Sequence, residues 1–261
     1  NNSVQAGYGY NYLDIVSDGG IAQYQNFVLA HGRRFSEFRA NTGWNRNSFD
    51  RFPFPTRGGN QQVTLLGSFV PTTSPTGDGL PIGGGAGING TNISYYKVSY
   101  LARFYQPLVK NFILTLLGSV SYGNTFNSQG LPFYENSYVG GIADPGQVRG
   151  YESYSLGPRD NANNPIGGGL LINGSAGIIL PYPISRDNMR ISTFVDAGNA
   201  YAVDVPPALR GTSSGPLRTS AGIAAEWRSP FGPLLFSVAL PLNKQPNDRT
   251  GFFQFTLSTG F

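Results

Sequence analysis

The sequence predicts an all-β fold, an antiparallel transmembrane β-barrel with an apolar outer face and a polar lumen. Three observations support this prediction. About ten segments alternate polar and apolar residues with a period of two, long connections alternate with short ones, and only 12% of the residues are charged against 39% hydrophobic. A soluble sandwich places Lys and Glu on its outer faces. Here the polar faces carry small groups and few charges, as in outer-membrane barrels.

Composition excludes several other classes of protein. The mean hydropathy is −0.19, and no apolar run reaches the length of about 18 to 20 residues that a membrane-spanning helix requires. The net charge of +4 is dispersed, which argues against a nucleic-acid partner. Cysteine is absent, so disulfides and thiolate chemistry are excluded. The first residues already have a strand pattern and no signal sequence, and we expect a fragment or a processed product.

Ten strands are predicted at residues 4–12, 35–46, 61–70, 94–105, 112–123, 166–180, 189–201, 217–228, 234–241 and 252–261. In the first five, one face is aromatic or aliphatic: Val4 and Tyr8, Phe38 and Trp44, Val63 and Leu65, Val98 and Tyr100, and Leu114 and Leu116. The other face carries Gln5 and Asn11, Glu37 and Arg39, Gln62 and Thr64, Lys97 and Arg103, and Thr115 and Ser119. In the seventh strand Asp196 shares the polar face with Ser192 and Gly198. The tenth alternates large apolar residues with polar or small ones up to its end.

The connections after odd-numbered strands are long, at 14–34, 71–92, 124–165, 202–216 and 242–251. Those after even-numbered strands are mostly short, at 47–60, 106–110, 181–188 and 229–233. Outer-membrane barrels join their strands by short periplasmic turns and longer outer loops. We therefore predict that 124–165 is a long extracellular loop and that the chain ends on the turn side. Tyr105, Tyr182, Trp227 and Phe231 lie near that rim and suit an aromatic girdle.

No catalytic, cofactor-binding or metal-binding group is predicted. The segment GAGING at 85–90 matches the dinucleotide-binding pattern, but a strand follows where the pattern requires a helix, so we interpret it as a flexible outer loop. The single histidine, His31, has no Cys or paired carboxylate nearby and is predicted to be a solvated loop residue. Asp196 is either an ordinary lumen charge or the place where Arg149 docks through a charge-assisted hydrogen bond.

Motifs along the whole chain match one known pattern. The long central connection contains LPFYEN at 131–136, a Gly pair at 140–141, VRGY at 148–151 and Gly-Pro at 157–158. The seventh strand contains FVDAG at 194–198, SPFGPL stands at 229–234, and the last strand begins with FQF at 253–255 and ends on Phe261. Together these motifs resemble the BamA family of outer-membrane barrel assembly factors.

The resemblance implies a sixteen-stranded barrel in the outer membrane of a Gram-negative bacterium. The ten strands would be its seventh to sixteenth, and residues 1–261 would be a partial barrel without the first six strands and the periplasmic repeats. The implied function is insertion and folding of other β-barrels without covalent chemistry, through pairing of client strands at a lateral seam. The implied partners are outer-membrane lipid, unfolded client barrels and, through periplasmic domains, lipoprotein accessory subunits.

The resemblance also implies roles for individual residues. The loop motif Val148, Arg149, Gly150 and Tyr151 enters the lumen and docks on Phe194, Asp196 and Gly198. The family's second acidic position falls near Gly177, and Glu226 is a lumen-facing substitute. The seam strand contains Phe253, Phe255, Leu257, Ser258, Gly260 and Phe261. Ser258 aligns with a Gly at which the family's last strand is kinked, and Gly260 is the alternative.

Two other functions stay open from the sequence. A passive outer-membrane channel would use lumen residues such as Arg39, Lys97 and Arg103 to select solutes. A secretion translocator of the two-partner or autotransporter type would share the barrel and an Arg-Gly-Tyr loop. A large steady ion conductance favours the channel, and low conductance with client folding favours the insertase. The ten strands could close on themselves, pair with another chain or form an open sheet.

Overall fold

A computed structural model describes residues 1–16, 20–31, 33–69, 93–126, 130–183, 188–206, 211–230 and 232–257. Ten strands form one antiparallel sheet in which sequence neighbours are spatial neighbours, so the ten predicted strands are confirmed. They are β1 (Asn2–Asp14), β2 (Arg34–Asn47), β3 (Gly58–Phe69), β4 (Tyr95–Pro107), β5 (Ile113–Thr125), β6 (Leu170–Ile179), β7 (Met189–Tyr201), β8 (Arg218–Ser229), β9 (Gly232–Pro241) and β10 (Phe253–Leu257). In the described residues β1 pairs with β2 alone and β10 with β9 alone, so the sheet is open between these two edges.

The two faces of the sheet are inverted relative to a soluble protein. Successive side chains of a strand point to opposite faces. On the face that we call outer, Tyr8 is 97% exposed and Phe255 is 66% exposed. On the face that we call inner, Glu37 is 3% exposed and Asp196 is fully buried. The predicted pattern of apolar groups outward and polar groups inward is therefore confirmed.

The connection between β1 and β2 contains a helix, α1 (Ala22–His31), where the sequence predicts only a loop. Phe27 and Val28 of the helix pack with Ile15 and Phe35 in a buried cluster, so tertiary contacts stabilise α1. The side chain of His31 and the segment at 85–90 lie outside the described residues, so the predictions for them stay predictions. None of the helices in the described ranges has the length and apolar character needed to cross a bilayer.

The turn between β2 and β3 folds onto the inner face. Arg190 of β7 donates a hydrogen bond from Nη2 to the carbonyl oxygen of Pro55 at 2.7 Å. Its guanidinium carbon lies 4.6 Å from the centre of the Phe54 ring, a cation–π contact. Because β4, β5 and β6 separate these elements in the sheet, this contact crosses the inner side of the sheet at its turn end. We call it the turn latch.

One predicted girdle residue lies on the wrong face. Tyr105 shares the inner face with Arg103, and its ring centre is 5.9 Å from the guanidinium carbon of Arg190. The prediction was wrong because residues two apart in a strand point to the same side, and Arg103, two residues before Tyr105, points inward. Phe104, 40% exposed, takes the outer position instead. Tyr182 and Trp227 are exposed as predicted, and Phe231 lies outside the described residues.

Candidate functional site on the inner face

The connection between β5 and β6, described at residues 126 and 130–169, lies against the inner face of the sheet, and we call it the central loop. Its residues Val139, Val148, Tyr151 and Leu156 pack with Leu171 and Ala200 in one buried apolar cluster. Bridges between Gly141 and Val148 and between Val139 and Leu156 fold the loop back on itself. The central loop therefore forms a second layer of protein over the centre of the polar face.

Arg149 lies at the apex of the central loop and pairs with Asp196 of β7. Nε and Nη2 of Arg149 each donate to a carboxylate oxygen of Asp196 at 2.8 Å. The backbone N–H of Arg149 donates to the same carboxylate at 3.0 Å, and Nη2 also donates to Ser175 Oγ at 3.0 Å. Such bidentate contacts are among the strong hydrogen bonds of proteins. Both side chains are buried, so removal of either leaves an uncompensated charge.

Phe194 and Gly198 flank Asp196 on the inner face of β7. The guanidinium carbon of Arg149 lies 3.3 Å from the centre of the Phe194 ring, so the ring supports the cation from one side. A Cβ at position 198 would lie 2.8 Å from Cγ2 of Val148. Glycine at this position lets the loop approach the strand. The structure thus brings together the residues of β7 that the motif resemblance singles out and the loop apex.

Gly150 and Tyr151 connect the apex to the last strand. Gln254 of β10 accepts from the Gly150 N–H at 3.2 Å and donates to the Tyr151 carbonyl oxygen at 2.7 Å. The N–H of Gly251 donates to the Gly150 carbonyl oxygen at 3.1 Å, and Tyr151 forms a β-bridge with Thr250. Sequence reasoning did not single out Gln254. Its position on the polar face of the last strand was the available signal.

Cations of β2 and β4 bind other parts of the central loop. Nη2 of Arg39 donates to Glu135 Oε1 at 2.5 Å. Nζ of Lys97 donates to the carbonyl oxygen of Glu135 at 2.8 Å, and Arg103 forms an ion pair with Asp144. The three cations that a channel would use for solute selection are therefore engaged by the protein's own loop.

We expect Glu135→Ala to weaken docking of the central loop by about 2 kcal/mol, because it removes a charged hydrogen-bond acceptor from Arg39. The measurement is the urea dependence of protease cleavage in the loop of the membrane-embedded protein. Glu152→Ala, at an exposed position of the same loop, is the matched control. Identical cleavage profiles for the two variants would show that the Arg39 contact does not hold the loop.

Ser175, rather than a second carboxylate, accepts a further hydrogen bond from Arg149. Gly177 lies opposite Phe194 in the β6–β7 register and offers no acceptor side chain. Glu226 lines, together with Arg149, a cavity of about 390 Å³ on the inner face. Among the described residues, however, the side-chain hydrogen bonds of Arg149 go to Asp196, Ser175 and, with its amide flipped, Gln147. Glu226 instead lies opposite Arg190 in the β7–β8 register.

Helix α1 covers one end of the central loop. The ring of Tyr24 stacks on that of Phe133 with centres 4.1 Å apart, and its hydroxyl lies 2.9 Å from that of Tyr138. Burial, with the hydrogen bond to Tyr138, raises the pKa of Tyr24 well above its ordinary value. The Tyr24 hydroxyl therefore stays protonated at neutral pH. The first connection and the central loop thus form one packed layer.

Comparison with known proteins shows which family this architecture belongs to. The model of the Omp85 superfamily domain matches residues 1–261. The chain belongs to the Omp85 superfamily. It is 34% identical to the outer membrane protein assembly factor BamA of Neisseria meningitidis serogroup B, across 91% of this chain and 31% of that protein. It is 28% identical to BamA of Neorickettsia risticii, across 67% of this chain and 23% of that protein.

A solved BamA structure matches the fold. The crystal structure of BamA from Haemophilus ducreyi lacking POTRA domains 1–3 aligns with a TM-score of 0.72 at 28% identity, covering 98% of this chain and 50% of that chain. The chain therefore spans half of that structure and about a quarter to a third of the curated relatives. The resemblance to the BamA family is confirmed, and the sheet is the wall of an outer-membrane barrel.

β10 forms an exposed edge of this Omp85 sheet. Phe253 lies opposite Val238, and the N–H of Ala239 donates to the carbonyl oxygen of Phe252 at 3.0 Å. Hydrogen-bonded and non-hydrogen-bonded pairs alternate in antiparallel sheets. The backbone N–H and C=O groups of Phe253, Phe255 and Leu257 therefore point away from β9, toward the open edge. The other predicted seam residues, Ser258, Gly260 and Phe261, lie outside the described residues.

Proposed function

We propose that this Omp85 chain takes part in the insertion and folding of other β-barrel proteins in the outer membrane. In this proposal residues 1–261 are the last ten strands of a sixteen-stranded barrel, and β10 is one side of a lateral seam where client strands pair. The observation that carries the proposal is the exposed backbone edge of β10 beside a loop apex that is bonded to β10 itself. The named relatives are outer membrane protein assembly factors.

The edge of β10 provides a driving force for strand pairing. An unsatisfied backbone amide group in hydrocarbon costs several kcal/mol. A client strand that aligns with Phe253 and Phe255 satisfies the free N–H and C=O groups of the edge and its own at the same time, by β-augmentation. No covalent bond forms or breaks, so the proposed activity requires no catalytic residue.

The central loop would set the position of the seam strand. Arg149 is held by Asp196 on β7, while Gly150 and Tyr151 are held by Gln254 on β10. The apex therefore links two strands that are three positions apart in the sheet. Because Gln254 points inward, the link braces β10 from the lumen side and leaves its edge available to a client.

The passive channel is the less favoured function because the central loop lies over the polar face and binds Arg39, Lys97 and Arg103. The proposed partners are outer-membrane lipid, unfolded client barrels and, through periplasmic domains outside this chain, lipoprotein accessory subunits. A secretion translocator of the same superfamily would use the same barrel. Folding of clients into the membrane distinguishes the insertase from both.

Phe255→Pro tests the seam. Proline removes the N–H that Phe255 directs to the open edge, and we expect the rate of client folding to fall by about tenfold, the equivalent of roughly one lost hydrogen bond. The rate is measured in cells that depend on the variant full-length protein, by the heat-sensitive gel migration of a newly made client barrel. Phe255→Ala removes the same aromatic ring but keeps the N–H, and it is expected to retain most of the activity.

A second measurement does not depend on how well the proline variant folds. Phe255→Cys in the full-length protein is expected to form a disulfide with a cysteine placed in the terminal strand of a stalled client. A client that folds at the wild-type rate on Phe255→Pro, together with no disulfide at position 255, would refute the seam. Large steady conductance without client folding would instead support the channel.

A further inference from the structure

Arg46 is a cation on the outer face of the sheet, near the turn side. It continues the outward series of Phe38 and Trp44 in β2, which ends one residue later at Asn47. A charge on the lipid-facing side of a strand is costly at the middle of the bilayer and nearly free at the interface. Its position next to the strand end therefore places Arg46 at the level of the headgroups, which long basic side chains reach readily.

A pocket of about 360 Å³ opens beside Arg46 on this face, and we call it the rim pocket. Its lining includes Arg46, Arg57, Gln61, Phe104 and Gln106. Phe104 lies over Gly59, because a Cβ at position 59 would come within 2.4 Å of the Phe104 ring. The glycine makes room for the aromatic wall, so the pocket combines an apolar side with two guanidinium groups.

The charges of the rim pocket are not neutralised within the described residues, where neither Arg46 nor Arg57 forms a salt bridge. The acid of the same turn, Asp50, accepts the N–H groups of Thr56 and Arg57 at 2.8 and 3.1 Å and the Thr56 hydroxyl at 2.5 Å. Burial alone would raise the pKa of Asp50, but these hydrogen bonds outweigh it and lower the pKa to about 2. Asp50 thus holds the turn, and the two guanidinium groups are left for an external anion.

We propose that the rim pocket binds the phosphate diester of a phospholipid in the leaflet on the turn side of the barrel. Arginine presents a planar fork of N–H donors that matches phosphate oxygens, and the amides of Gln61 and Gln106 offer further donors. Phe104 provides an apolar surface for the adjoining acyl chain. Lipid is the source of the phosphate because Arg46 and Phe104 lie on the lipid-facing side. The inference rests on the outer-membrane location and is independent of the assembly activity.

Lipid retention tests the rim pocket. The full-length protein is reconstituted in phosphatidylcholine nanodiscs with and without phosphatidylglycerol, and native mass spectrometry counts the lipids that stay bound after release. We expect the double variant Arg46→Gln, Arg57→Gln to retain about tenfold less phosphatidylglycerol, as for the loss of about 1.4 kcal/mol of binding. Lys110→Gln, which removes an exposed cation from the neighbouring turn, is expected to behave as the wild type.

Two results would overturn the proposal. Equal retention by the double variant and the wild type would show that the rim pocket does not hold the lipid. Displacement of the bound lipid by inorganic phosphate alone would show a site for the free ion. The variant Arg46→Lys, Arg57→Lys keeps the charge and the fold but loses the planar forks, and it is expected to retain an intermediate amount of lipid. Heat-sensitive gel migration verifies that each variant is folded.

Discussion

Asp196→Ala is expected to undock the apex of the central loop and to slow client assembly by at least about tenfold, with the protein still present in the outer membrane. Removing one partner of a buried ion pair typically costs about 3–5 kcal/mol, because the other charge stays buried without compensation. Arg149 would keep Ser175, the ring of Phe194 and the amide oxygen of Gln147 as partners. The lost contacts lie on the inner face, so the strand ladders stay intact.

Hydrogen exchange and a double-mutant cycle separate this effect from general unfolding. In Asp196→Ala the amide of Arg149, which donates to Asp196 at 3.0 Å, is expected to exchange much faster, while amides of β5 keep their protection. Arg149→Ala combined with Asp196→Ala should cost less than the sum of the single changes, because no charge is then left unpaired. Wild-type assembly rates in both single variants, with the apex undocked, would refute a role of the loop in assembly.

The alternation of polar and apolar residues predicted the strands because each strand has lipid on one side and a polar interior on the other. This difference is visible in the sequence of each strand by itself. Phe253 and Phe255 point one way and Gln254 the other whatever the rest of the chain does. Segments whose structure depends on distant partners could not be predicted in this way. β6 begins at Leu170 rather than 166, since Ile166 is bonded to Pro158 within the central loop. Helix α1 was missed because some of its packing partners, such as Phe133, belong to that same distant loop.

The sequence predicted only those residues of the candidate site that belong to a recognisable motif. The motif resemblance singled out Arg149 and Asp196, and alternation placed Asp196 on the inner face. Neither could specify the further partners of the apex, because a position along a strand determines a face and not a partner. Ser175 and Gln254 became partners through the register of β6 with β7 and through the path of the loop. Tyr105 shows that strict use of the alternation corrects an assignment based on an aromatic side chain near the turn side.

Arg190→Ala is expected to release the turn latch and to lower the free energy of unfolding by about 2–5 kcal/mol. The change removes a hydrogen bond from a charged donor, worth about 1.5–3 kcal/mol, and a cation–π contact, worth about 0.5–2 kcal/mol. Phe54 would lose its buried cationic neighbour, and the turn between β2 and β3 would move off the inner face. Since the latch crosses the turn end of the sheet, we also expect a higher ion conductance.

A double-mutant cycle with Phe54→Ala measures the latch directly, and the coupling energy should be about 0.5–2 kcal/mol. Glu226→Gln is the matched control, because Glu226 lies opposite Arg190 in the sheet but the contacts of Arg190 to the turn go to Phe54 and Pro55. If Glu226→Gln raised conductance as much as Arg190→Ala, the charge pair across β7 and β8 would be what holds Arg190. If the changes in the free energy of unfolding for Phe54→Ala and Arg190→Ala were strictly additive, the two side chains would not stabilise each other. Another contact would then keep the turn on the inner face.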